Sequence, residues 1–185
     1  MSTEGGLRLS EYDWSQFRVH MYYLAPIEDV FLRFSTQRGL ESFFVYRAAL
    51  TGSDGTNRSE EEVVKPGDGY VWTYTHHYQH GGEFTSVEEN RLVAFTFGEM
   101  HVVIKLRKVA GATEVELHQT GCATEDPARA WQHLNCRSCW IYFLMNLRSV
   151  LAGGPDLRDF AHPNWNDSIS IGFDPNAVPG APRPR

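Results

Sequence analysis

Apolar and polar residues alternate along residues 17–24, FRVHMYYL: Phe17, Val19, Met21 and Tyr23 share one side, Arg18 and His20 the other. A period of two predicts a half-buried strand. The next stretch, APIEDVFLRFST, predicts a helix, with Pro26 suited to the first turn and Glu28 and Asp29 near its positive end. A short second helix is expected around QRGLESFF. The segment YRAALTGSDGTNRSEEEVVKPGDG then begins as a strand and becomes a long connection, broken by SDG, KPG and GDG. Further strands are expected at residues 70–78, 84–88, 92–97, 102–109 and 113–120. In the last, Val115, Leu117 and Gln119 oppose Glu114, Glu116 and His118. This regular spacing predicts an antiparallel meander.

The pattern changes period after residue 126. A long helix is expected over residues 127–152, opened by Pro127 and stopped by Gly153-Gly154-Pro155. Counted at about 100° per residue, Cys136, Trp140, Leu144, Leu147 and Leu151 fall within roughly 60° of His133. That stripe faces a core, and Cys139 lies further round beside Phe143 and Val150. From Ala161 onward the chain holds five of its nine prolines and little periodicity. The organisation is therefore an irregular segment (1–16), one domain (17–158) and a Pro-rich extension (159–185). The fold class expected is α+β: a curved antiparallel sheet closing around one long C-terminal helix, with two short helices after the first strand. A cavity remains wherever the facing side chains fail to fill the space.

A chain of 185 residues can bury a sizeable core without metal or disulfide staples. Eleven Phe, eight Tyr and five Trp suit a large core or an aromatic-lined cavity. The net charge of −6 offers no basic stripe, which argues against nucleic acid and against docking on an anionic membrane. No basic region followed by an apolar run opens the chain, and no apolar run approaches the ~18 residues of a membrane span. Cys122, Cys136 and Cys139 are an odd, sparse set, unlike a secreted disulfide framework. A soluble, cytoplasmic protein is the expectation.

His133, Cys136 and Cys139 sit at three-residue spacing. A zinc site needs four ligands, which His118 and Cys122 would have to complete, and no second CxxC or HxxxH pair exists. Thiols inside a helix also lack the stabilisation available at a helix N-terminus. We therefore expect no metal and no cofactor, with Cys136 buried as a small hydrophobe. In GYVWTYTHHYQHGGEF, Tyr70, Trp72, Tyr74, His76 and Tyr78 share one side of the expected strand, so His76 is the inward histidine. Consecutive His76 and His77 point to opposite faces and cannot easily share an ion. Glu99 and His101 read as a hairpin turn with solvated charges, and RSEEEVVK as a solvated loop. No nucleophile elbow, phosphate loop or nucleotide fingerprint is present.

Two stretches carry a resemblance. They are WIYFLMNLRSVLAGGPDLR, with its Trp, Asn-Leu-basic-Ser, paired glycines and Asp-Leu-Arg, and YLAPIEDVFLRFSTQRGLESFF, with its proline, helix and Thr-x-x-Gly-Leu turn. With the strand order, residues 17–158 resemble the SRPBCC (START-like, helix-grip) superfamily, specifically the domain related to the activator of the heat-shock-protein-90 ATPase. The resemblance implies a pocket between sheet and helix, which relatives use for lipids, sterols, polyketides or hormones; some relatives are enzymes.

The function expected is that of a binding module holding a small hydrophobic or lipid-like ligand. Its lining is expected from Trp72, Tyr74, His76, Phe95, Phe97, His133, Cys136 and Trp140, with His76 and His133 fixing the ligand's polar end. Two alternatives stay open: a co-chaperone-type interaction protein, or a small cyclase- or hydrolase-like enzyme using a pocket histidine. No inward Asp or Glu offers itself to such a histidine, so no catalytic residue is assigned. A homodimer and a chaperone partner also stay open.

Overall fold

The computed structural model describes residues 11–74 and 78–161. Seven strands form one sheet: β1 (Gln16–Tyr23), β2 (Arg47–Thr51), β3 (Gly69–Thr73), β4 (Gln79–Glu88), β5 (Leu92–Phe97), β6 (Met100–Val109) and β7 (Ala112–Thr120). Their order is β1-β7-β6-β5-β4-β3-β2, and every pairing is antiparallel. Helices α1 (Ile27–Ser35) and α2 (Gln37–Glu41) carry the chain from one edge of the sheet to the other. A π-helical turn, Ala130–Asn135, leads into α3 (Cys136–Leu151). This is the α+β helix-grip arrangement: a curved antiparallel wall with the C-terminal helix on its inner face.

The alternation read from the sequence sets the inner face. Phe17, Val19 and Tyr23 of β1, Val102, Ile104 and Leu106 of β6, and Val115 and Leu117 of β7 are buried. From α3, Trp140, Leu144 and Leu147 meet them, and the Tyr23 hydroxyl donates to the Leu144 carbonyl at 3.1 Å. The apolar stripe on the helix is thus the seam of the fold.

Two family motifs turn out to be devices of chain geometry. Thr36 Oγ1 accepts the Gly39 N–H at 3.0 Å and caps α2. A Cβ at Gly39 would overlap the Leu32 carbonyl, so only glycine lets α2 fold back against α1. At the far end of α3, Gly153 has φ +73°. The Gly154 N–H donates to the Ser149 carbonyl at 2.8 Å and the Gly153 N–H to Val150 at 3.1 Å, a Schellman stop. The Asp-Leu-Arg that follows is then clasped: Asn146 Nδ2 donates to the Phe43 carbonyl and to Asp156, and Arg158 donates to the carbonyls of Val45 and Glu41.

The long β2–β3 connection is anchored by charge. Asp68 is fully buried and takes two hydrogen bonds of 2.8 Å from Arg58, which also reaches Glu62. The extension expected beyond residue 161 lies outside the described residues. Within them, no helix is long and apolar enough to cross a membrane.

One sequence expectation fails here. Residues 70–78 are not one strand: β3 stops at Thr73, and the Tyr74 N–H donates to the Tyr78 carbonyl across a hairpin. The alternation of Tyr70, Trp72 and Tyr74 in the sequence resumes at Tyr78, so the pattern alone does not mark where β3 ends. Gly81 and Gly82, which fall between the strands expected at residues 70–78 and 84–88, lie inside β4 opposite Val71 and Tyr70. A Cβ on Gly82 would crowd the Tyr70 ring and Thr96, so the glycine makes room for a tyrosine laid over the strand.

Candidate functional site

Corrected register changes which histidine faces inward. Trp72 pairs with His80 across β3 and β4, so the two side chains share the inner face. His76, the inward histidine expected from the sequence, lies outside the described residues. His80 was passed over because it falls between the strands expected at residues 70–78 and 84–88; only the pairing of β4 with β3 reveals its side.

Around this pair the sheet and α3 bring aromatic rings together. Phe44, just before β2, is the hub. It stacks on Trp140 with centroids 5.0 Å apart and meets Trp72, Tyr74 and Phe143 edge-on at 5.1, 5.7 and 4.9 Å. Trp72 stacks on Tyr70 at 3.7 Å and meets Phe95 at 5.1 Å. Phe97 lies 6.1 Å from Trp140 and 4.5 Å from the His80 ring. Trp72, Phe95 and Trp140 are sealed, whereas Tyr74, His80, Phe97, Cys136, Cys139 and Phe143 are only half-buried. A closed aromatic floor therefore carries a partly open rim, drawn from β3, β4, β5 and α3.

The rim is neutral. Burial pushes the Cys136 thiol up to about 12 and Cys139 to about 11, so both stay protonated at neutral pH and are poor nucleophiles or metal ligands. The Tyr74 hydroxyl is held well above its usual value by burial and by the neighbouring Tyr70, Cys136, Cys139 and Tyr78. Burial lowers His80. Among the described residues, no charged side chain figures in these four shifts. No group of three His, Cys, Asp or Glu among the described residues is placed to hold a metal.

Two polar atoms on the inner face stand out. Gly98 N–H donates to His80 Nε2 at 3.0 Å, which leaves the ring proton of the neutral imidazole on Nδ1. Trp72 is fully buried, and among the described residues its Nε1–H finds no acceptor. The other seam indole is satisfied: Trp140 Nε1 donates to Gln119 Oε1 at 2.8 Å.

His133 does not join this group. It is buried in the seam, as its stripe position requires, but both ring nitrogens are engaged. Nδ1 lies 2.9 Å from the Trp14 carbonyl and Nε2 2.9 Å from the Tyr12 hydroxyl. The rings of Tyr12, Trp14 and Phe17 surround it. The expectation that His133 fixes a ligand's polar end is therefore corrected: it fastens the N-terminal segment to the helix. A separate groove of about 470 Å³ opens outside the grip, between α1, residues 63–66 and the β4–β5 hairpin; Phe31, Leu32 and Val87 line it. None of the expected ligand-lining residues borders it.

Comparison with known proteins agrees with this architecture. The family model for activator of Hsp90 ATPase homolog 1-like protein matches residues 24–152, well over half of the chain. Sequence comparison with curated proteins gives no match. Among solved structures, a protein from Staphylococcus saprophyticus is 22% identical with TM-score 0.62, covering 77% of this chain and 96% of that one. The Aha1 dimer from Colwellia psychrerythraea is 14% identical with TM-score 0.59, covering 74% and 95%. An HSP90 activator from Plasmodium falciparum is 18% identical with TM-score 0.52, covering 76% and 98%. At these identities the structural likeness speaks for the fold alone, whereas the family model speaks for descent: this chain belongs to the activator of Hsp90 ATPase homolog 1-like family.

Proposed function

We propose that the protein is a binding module that admits a small hydrophobic molecule at the rim formed by Tyr74, His80, Phe97, Cys136, Cys139 and Phe143. The observation that carries this reading is the convergence of partly buried, uncharged side chains from the end of β3, from β4 and β5 and from α3 on a single sealed aromatic floor. An apolar guest covering about 300 Å² of such surface would gain about 7 kcal/mol before ordering costs. Trp72, Phe95 and Trp140 act as floor, and Tyr74, Phe97 and Cys136 as wall. The three free thiols fit a reducing, cytoplasmic setting.

The test uses N-phenyl-1-naphthylamine, an uncharged apolar fluorophore. Saturable one-to-one binding is expected, reduced at least tenfold by Cys139→Trp, which fills the rim. Native mass spectrometry of protein purified without denaturant should show a co-purifying small molecule. No saturable binding of the dye and an empty native spectrum would overturn the reading.

The family match supports a second reading, a co-chaperone. Relatives bear the titles of an HSP90 activator and of an Aha1 dimer. Stimulation of a purified Hsp90 ATPase by this chain, and its dimeric mass in solution, are the measurements that decide it.

A further inference from the structure

We propose that residues 168–173, SISIGF, dock in cis as an eighth strand on the free edge of β1, antiparallel to it. That edge borders the flank of α3 turned away from the aromatic rim, so the proposal stands independently of the binding-module reading.

The two edges of the sheet differ. At β2 the outward backbone groups are taken: the Ala48 N–H donates to Glu41 Oε1 at 2.9 Å, and the Arg58 N–H to the Leu50 carbonyl at 2.9 Å. Thr51 also bridges to Asn57. Such blunting keeps a sheet edge from pairing further. β1 has no counterpart. It pairs with β7 through every second peptide group, and among the described residues the groups pointing the other way have no partner. An edge of that kind is a template for one more strand.

The flank of α3 beside this edge also lacks a cover. Trp140, Phe143 and Leu147 lie to one side of Leu144, toward the aromatic floor, whereas Arg137, Ile141, Met145 and Arg148 fall roughly 20–100° the other way. Met145 is 43% exposed, and Ile141 is only partly buried. α3 contains no acid, and neither arginine has an ion-pair partner among the described residues. Both arginines stand on the side of β1. Arg148 is near enough to Tyr23, and Arg137 to His133, for their charges to act there, and His133 packs on Phe17.

The tail has little periodicity overall, but DSISIGFD, residues 167–174, alternates: Ile169, Ile171 and Phe173 oppose Ser168, Ser170 and Gly172. Facing inward, the apolar three continue the row of Val19 and Met21 and cover Ile141 and Met145. The small residues then face outward beside exposed Arg18 and His20.

Charge and chain path set the direction. The Tyr23 hydroxyl donates to the Leu144 carbonyl at 3.1 Å and Asn146 Nδ2 to Asp156 at 2.9 Å, so both segments touch the same turn of α3. Residues 157–167 can span up to roughly 35 Å, more than the ~10–12 Å breadth of a helix. A strand entering at the Tyr23 end runs antiparallel to β1, which brings Asp167 to Arg148 and Asp174 to Arg137. The acids lie about 24 Å apart in a strand and the arginine Cα atoms about 16 Å apart along the helix, a difference two long side chains can span.

Residue-resolved amide hydrogen exchange on the full chain tests this. In the wild type all eight β1 amides should be protected, cross-strand NOEs should join β1 to residues 168–173, and the mass should be monomeric. Of two consecutive strand amides one faces the neighbour, so Ser170→Pro/Ile171→Pro removes a pairing donor in either register. It should speed exchange at least about tenfold at the β1 amides pointing away from β7 and leave those bonded to β7 within about twofold. Arg137→Glu/Arg148→Glu should act the same way, and adding Asp167→Arg/Asp174→Arg should restore protection. Free exchange at every second β1 amide of the wild type would overturn the proposal. So would protection that survives the proline substitutions, which means another occupant, or protection that rises with protein concentration alongside a dimeric mass, which means a second copy. The wild-type exchange pattern and NOEs decide the matter even if a charge-reversed variant fails to fold.

Discussion

Burial gives the His133 imidazole a lower proton affinity than a free histidine, because the charged ring would lose its water; the Trp14 carbonyl only partly offsets this. The unfolded chain therefore binds the proton more tightly than the folded one. Stability is complete above about pH 6.5, the free-histidine value, and falls as the pH drops below it. The lowered His80 and His118 act with the same sign. Thermal melts at pH 7.5 and 5.5 should show a lower midpoint at acid pH, and His133→Gln should reduce that difference. Sequence position foretold the burial of His133, because its place on the apolar stripe is a matter of angle. It did not foretell the partners, since Tyr12 and Trp14 lie more than a hundred residues away on a segment without periodicity. His80 was missed for a different reason: it falls between the strands expected at residues 70–78 and 84–88, where alternation assigns it no side.

At the scale of elements, periodicity was a good guide wherever one face is buried and the other wet. Strand β5 matches its expected bounds, and β6 and β7 begin one or two residues early. The helix stripe was legible for the same reason, and Leu144 sits at its centre with no exposure. Leu144→Ala should cost about 2–5 kcal/mol in urea unfolding, a loss set by how far the seam collapses. The expected start of the helix near Pro127 holds to within a residue, since helical structure begins at Ala128. The sequence carries no mark of the wider π-helical turn at Ala130–Asn135, whose residues look like ordinary helix formers. Glycine was the most misleading residue type. Gly81 and Gly82 serve side-chain packing inside a strand, whereas Gly153 does terminate a helix.

Across the whole molecule, the Asp-Leu-Arg segment after α3 joins parts of the chain that the sheet alone leaves apart. Burial by itself would raise the Asp156 carboxyl, but hydrogen bonds from Arg158 and Asn146 outweigh it and hold the group below its usual range. Arg158 lies almost wholly inside, bridging Asp156 to the carbonyls of Glu41 and Val45. Arg158→Ala should destabilise the protein by about 3 kcal/mol in denaturant titration, because two carbonyls and a carboxylate lose their donor together. The resemblance this motif helps to carry pointed to the right fold, and Asp156 and Arg158 build the scaffold, away from the aromatic rings around Phe44.

The strand order has a further consequence for biosynthesis. Among the described strands β1 pairs with β7 alone, in register from Tyr23↔Thr113 to Gln16↔Thr120, so its strand partner is the last of the seven to be translated. At about 5–20 residues per second, a ribosome needs several seconds to deliver that neighbour. Throughout that interval the nascent chain carries an orphaned ribbon of Phe17, Val19 and Tyr23. Maturation must therefore come as one late, non-local closure, and an arrested translation product lacking β7 would be prey for chaperones and proteases.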